Sequence, residues 1–275
     1  MEKFNYLIEN FFTHKDYLAP ASEILGTLYT PLFFIFIFCL LGVILLSAVY
    51  VAKHKELIKP VFKTELFLLV IWEFAIVAWD SLAGKNVGFD FTTNLSLYPC
   101  SIFLYAMPFV IWGKGIAKKS ACGYVCTLGL LGAAVNFIYP MKLIDYSCIS
   151  FAGFHTMFYH GAMLFTCLVI LISNYHTYTD VRHWWELFLP CIPTLIMSIP
   201  ANIVNYSPVN ADYMYFRGRF FLLEMIFSGV SDITVTAVLY MLYIFVPALF
   251  YLPSFIAGKR KEVKCKNPEV FVQIV

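Results

Sequence analysis

PLFFIFIFCLLGVILLSAVYVA, residues 31–52, holds no charged side chain. A run of about 20 apolar residues is the length that crosses a bilayer core as a helix, so this stretch sets the fold class. Glu2, Glu9, Asp16 and Glu23 precede it, and Lys53 and Lys55 follow where a small-residue cleavage site would stand. It therefore reads as a retained transmembrane helix rather than a signal peptide.

Six further apolar segments follow at 64–82, 98–112, 121–139, 151–173, 184–204 and 230–253. The third is short for a span. A smaller apolar piece at 220–227 reads as interfacial or re-entrant. The expectation is an all-α polytopic membrane protein, a seven-transmembrane-helix bundle. Its parts would be an N-terminal segment (1–30), the helical domain (31–255) and a basic tail (256–275). Composition agrees: 61% of the 275 residues are hydrophobic and 13% charged, against about 25% charged in soluble domains. Net charge is +2, and no basic patch interleaved with aromatics points to nucleic acid. Seven of the eight cysteines lie in or beside apolar runs, which argues against a disulfide framework. Cys122 and Cys126 stand at i and i+4 with no paired ligands nearby, so no metal site is expected. Cys122, Cys126 and Cys167 read as small hydrophobes.

Lysine gathers in alternate loops. Lys53, Lys55, Lys59 and Lys63 follow the first segment, Lys114, Lys118 and Lys119 the third, and a basic cluster ends the chain. The loops after the second and fourth carry one lysine each, Lys85 and Lys142. Positive loops stay cytoplasmic, so the N-terminus is expected outside and the C-terminus inside. The Phe-, Ile- and Lys-leaning composition is that of AT-rich genomes, and the expected location is a bacterial plasma membrane.

Ionisable groups inside a span are costly and read as functional. Here they collect toward one membrane face: Asp80, Cys100, Asn136, His155, His160, Asp212, Arg217 and Arg219. Glu73 stands near mid-span. His160 lies five residues beyond His155, about 7.5 Å deeper and about 140° around the helix, so the two do not readily share one metal. The stretch SLYPCSIF (96–103) places Pro99 and Cys100 at the opening of the third segment. Proline favours a first helical turn, and a thiol at a helix N-terminus meets free N–H groups that favour thiolate. Burial opposes this, and a nearby base decides. His160 is at a suitable depth, and a Cys–His pair is the usual activated thiol nucleophile.

The stretches NLSLYPCSIFL (94–104), GLLGAAVNFIYP (129–140), FHTMFYHGAML (154–164) and NADYMYFRG (210–218), in this order, resemble the YwaF-like family of integral membrane proteins, which includes the transmembrane protein 164 acyltransferase. The resemblance covers roughly residues 30–255. It implies a cysteine nucleophile at Cys100 and a histidine partner at His160, acting on phospholipid acyl chains. Many members carry a histidine where this chain has Tyr98. The reading is a coenzyme A-independent lipid acyltransferase that needs no cofactor. It would move a fatty acyl chain between membrane phospholipid and lysolipid through a cysteine thioester at the outer leaflet. Asn136 would help hold the oxyanion, Arg217 or Arg219 a phosphate headgroup, and His155, Tyr98 and Asp80 would support the site. The rivals are a transporter, on the strength of Glu73 and the proline-rich sixth segment, and a seven-helix receptor. The last segment has no lysine, which excludes a retinal Schiff base there.

Overall fold

A computed structural model describes residues 2–85, 87–92, 94–176, 181–206, 211–217 and 225–266. Every regular element among them is helical: α1 (Glu2–Glu9), α2 (Pro31–Lys53), α3 (Lys55–Ala83), α4 (Ile102–Trp112), α5 (Gly115–Tyr124), α6 (Leu130–Ile138), α7 (Phe151–Ile172), α8 (Cys191–Asn205) and α9 (Asp232–Lys266), with several short 3-10 turns. A π-helical turn, Val125–Gly129, joins α5 to α6 without a break.

Six helical stretches among the described residues are long and apolar enough to cross a membrane: Pro31–Lys53, Lys55–Ala83, Gly115–Ile144, Phe151–Ile172, Arg182–Asn205 and Asp232–Pro253. The expected third span differs. Its helix starts at Ile102, four residues after the apolar run does, and has 11 residues. That is about 16 Å of rise, half of a roughly 30 Å hydrocarbon core. Residues 98–101 are used in a tight turn, with Ser101 N–H donating to Tyr98 O at 2.9 Å and Phe103 N–H to Cys100 O at 3.0 Å. At the other end Gly113 stops the helix, where a Cβ would overlap Phe109 O.

Local chemistry starts and stops the other helices. Pro31 opens α2, where its missing N–H costs nothing. Ser150 caps α7 by accepting the Gly153 N–H at 3.2 Å. Gly153 must be glycine here, because a Cβ would overlap Ser147 O. Lipid-facing side chains such as Phe38, Leu46 and Phe74 are exposed on α2 and α3, while Ile102, Phe103, Met107 and Val110 of α4 are fully buried. The shortest of the apolar helices is thus the most enclosed, which is what backbone that does not span requires in a bilayer.

The end at which α3 stops and α7 starts is here termed the upper end. The segment before α2 packs on it through backbone bonds: Phe151 N–H to Phe11 O at 2.9 Å, Leu28 N–H to Leu143 O at 2.8 Å and Cys148 N–H to Gly26 O at 2.8 Å. Trp79 Nε1 donates to Phe12 O at 2.8 Å. At the lower end Tyr175 OH donates to Val110 O at 3.2 Å, Lys119 meets Glu186, and Lys118 lies 4.0 Å over the Tyr175 ring. Arg219 and most of the expected 220–227 piece lie outside the described residues, as does 267–275 at the end of the basic tail.

Candidate active site

The non-helical stretch 94–101 is held from three directions. Tyr213 OH accepts from Leu95 N–H at 3.0 Å and donates to Phe91 O at 2.8 Å. Tyr213 is itself fixed by Asn205, whose amide accepts from its N–H at 2.7 Å and donates to its C=O at 2.6 Å. Tyr124 OH donates to Pro99 O, and Tyr159 OH donates to Cys100 O at 3.4 Å. Buried backbone carbonyls need such partners, and here tyrosines from α5, α7 and the 211–217 segment supply what a longer helix would have supplied itself. Tyr98 packs between the rings of Tyr213 (4.9 Å) and Tyr215 (5.5 Å).

The space left beside this stretch is a cavity of about 180 Å³ at the upper end. Glu73 and Asp80 of α3, Ser96, Tyr98, Cys100 and Ser101 of the turn, Lys142, and His155, Tyr159 and His160 of α7 all line it. Glu73 is the hub. Its two oxygens take Ser96 Oγ at 2.6 Å and His155 Nε2 at 3.2 Å. His160 Nδ1 lies 2.8 Å from Thr156 O, the carbonyl one turn earlier. A carbonyl only accepts, so the proton is on Nδ1 and Nε2 keeps its lone pair. Cys100 is half-buried and lines the cavity next to Ser101. It precedes the N-cap Ser101, rather than occupying the second helical position expected from Pro99.

The structure thus brings together Cys100, His160, His155, Tyr98 and Asp80. It does not bring in Asn136, which stands on α6 with its amide 4.0 Å from Met157 Sδ and outside the lining. α7 separates the two: Met157 faces α2 and α6, while His155, Thr156, Tyr159 and His160 face the cavity. Arg217 is also outside the lining, stacked 5.4 Å over Tyr206, with its N–H on Asp212 Oδ1 at 2.7 Å. Asp80 is tied by His14 Nε2 at 3.4 Å, so the segment before α2 reaches the mouth of the cavity.

Three contributors were not given roles by sequence. Glu73 signalled itself as a mid-span carboxylate, but its partner was unreadable. Lys142 was visible only as a lone loop lysine. Ser96 carried no signal, since a serine in an apolar flank is ordinary.

Six apolar helices of bilayer length around an enclosed cluster of ionisable side chains define an integral membrane protein with an internal polar site. The chain belongs to the TMEM164 family, whose model matches residues 24–258. This agrees with the resemblance carried by the stretches around Cys100 and His160. No curated protein and no solved structure matches the chain.

Proposed function

We propose that this protein is a lipid acyltransferase working through a thioester on Cys100. The observation that carries the reading is that Cys100 and His160, from two separate elements, line one cavity with the Glu73–His155 pair. His160 Nε2 takes the thiol proton, and the sulfur adds to an ester carbonyl of a donor phospholipid. The ester C–O bond then breaks, the leaving lysolipid oxygen takes the proton back from His160, and the acyl group stays on sulfur. In the second half His160 deprotonates the hydroxyl of a lysolipid acceptor, which attacks the thioester and releases Cys100. Coenzyme A has no part in this balance. The Ser101 hydroxyl, which lines the same cavity as Cys100, takes the oxyanion-stabilising role first expected of Asn136. Lys142 is a lining cation suited to a headgroup phosphate, the role first expected of Arg217 or Arg219; Arg217 lies outside the lining.

The lysines at the lower end support a cytoplasmic lower end and, with it, a cavity at the outer leaflet. The chain then makes seven crossings, α4 completing its own with the enclosed turn 94–101. That gives an external N-terminus and a cytoplasmic C-terminus. The test is to incubate purified protein in vesicles with radiolabelled phosphatidylcholine and isolate the chain. Label on Cys100 that hydroxylamine releases is expected. Ion or solute flux without any acyl transfer would instead support the transporter reading, for which the buried Glu73–His155 pair is the motive.

A further inference from the structure

Below the cavity, between α3 and α7, runs a second concavity of about 420 Å³. Pro60, Leu68, Leu69 and Trp72 line it from α3, and Phe158 and Ala162 from α7. Its volume is within the range of small-molecule sites, about 300–1,000 Å³. Leu68 is more than half exposed, so the groove opens sideways toward the lipid. Glu65 also lines it, but its carboxylate is already met by the Thr166 hydroxyl at 2.7 and 2.8 Å. The remaining lining is mostly apolar.

The groove and the cavity are consecutive along the same two helices. On α3 the groove takes residues 60–72 and the cavity 73–80; on α7 the cavity takes 155–160 and the groove 158–162. Pro60 and Trp72 mark the two ends of the groove on α3, about 18 Å apart at 1.5 Å per residue. That is close to the ~15 Å half-thickness of a hydrocarbon core, the reach of one leaflet's acyl chain. At the junction Trp72 stacks on Phe154 (5.7 Å) and Phe158 (6.0 Å). Its indole N–H is buried with no hydrogen-bond partner among the described residues. A buried donor without an acceptor is uncommon and asks for a reason.

We propose that this groove is the acyl-chain subsite. It takes one fatty chain of a glycerophospholipid, with the ester at the Trp72 junction, where Trp72 neighbours His155 of the cavity (6.4 Å between rings), and the chain running toward Pro60. The side opening lets a chain enter from the bilayer without leaving hydrocarbon. The catalytic half of this proposal rests on the acyltransferase reading; the binding half does not.

The experiment uses Cys100→Ser protein in phosphatidylcholine vesicles doped with a phosphatidylcholine that carries a diazirine at mid-chain. After irradiation the adducts are mapped by mass spectrometry. They are expected to concentrate on residues 60–72 and 158–162. In Leu68→Trp they fall about tenfold, the scale of displacing a methylene or two from an apolar pocket. Leu46→Trp, at an exposed position on α2, leaves them unchanged. Adducts spread evenly over α2, α3 and α9 overturn the groove, whether or not a thioester forms on the wild-type protein. Adducts in the groove with no thioester on wild type keep the groove and remove the acyltransferase reading. In active protein, Leu68→Trp and Ala162→Phe shift the ratio of kcat/KM for long-chain over hexanoyl donors about tenfold toward hexanoyl. An unchanged ratio removes the chain from this groove, and a ratio taken within each variant is insensitive to a partial loss of folded protein.

Discussion

The two ends of the bundle treat their polar residues differently. At the lower end, Lys118 lies over Tyr175 and Lys119 meets the buried Glu186, and the cysteines beneath them, Cys122, Cys126 and Cys167, are buried in apolar packing. At the upper end, Cys100 is half-buried in a cavity with two histidines, two carboxylates and a lysine. The residue types are similar, but their company is not. Of these four among the eight cysteines, three are in apolar packing and one lines a cavity with two histidines. What separates them is the break in helical structure at 94–101, since a full-length helix in that place would fill the cavity with its own backbone. A bilayer tolerates such a break only where protein encloses it, and the enclosure by tyrosines is what also holds the thiol in position.

The largest effect expected from this contrast is on Cys100→Ser. Acyl transfer measured by lipid turnover in vesicles should fall to background with the melting temperature unchanged. His160→Gln should lower turnover by about 10²–10⁴, the usual contribution of a positioned acid–base group. Cys126→Ala, at the packed end, should leave turnover as it is. Equal losses for Cys100→Ser and Cys126→Ala would erase the distinction between the ends.

Glu73→Gln comes next. It keeps the shape but weakens two hydrogen bonds to a charged acceptor, each worth about 1.5–3 kcal/mol. A loss of roughly 10–100-fold in kcat is expected, with the melting temperature little changed. A fall in melting temperature that accounts for the lost turnover would make the pair structural. Tyr159→Phe is milder. It deletes the 3.4 Å bond to Cys100 O, a contribution of about 0.5–1.5 kcal/mol. A few-fold lower rate of iodoacetamide labelling at Cys100 is expected, and labelling at the wild-type rate would mean the turn is held without it.

The smallest effect concerns the strap over the upper end. Asp16 accepts the Lys85 N–H at 2.9 Å, and this bond, with His14 beside it, holds the carboxyl below its usual range despite partial desolvation. A depressed carboxylate contributes stability above its unfolded pKa and loses it as pH falls through the folded one. Wild-type melting temperature should therefore drop on acidification below about pH 4, and Asp16→Asn should flatten that part of the curve. A superimposable curve for the variant would assign the acid sensitivity to other groups.

Much of this architecture was legible because hydrocarbon is an unforgiving solvent. Long uncharged runs have little choice but to become helices, so the segments at 31–52 and 151–173 coincide closely with α2 and α7, while α3 runs from Lys55, nine residues before the apolar segment at 64–82 begins. The third segment was misjudged because apolar character reports burial, and 98–101 is half-buried to buried without being helical. Cys100 and His160 were readable as candidates because an ionisable or nucleophilic group inside an apolar run is exceptional. Asn136 was exceptional in the same way, yet its helix face turns to Met157, and one residue of rotation, about 100°, separates a site residue from a packing one.

The sequence by itself determined that the chain has helices fit to cross a membrane and which end carries the lysine, because composition and spacing are local properties. Only the tertiary structure decided that Glu73 meets His155 across α3 and α7, that Ser96 rather than Asn136 completes the polar cluster, and that Tyr124, Tyr159 and Tyr213 hold the turn bearing Cys100. Those are contacts between residues far apart in the chain, set by how helices rotate and pack against one another, and no local pattern encodes that rotation.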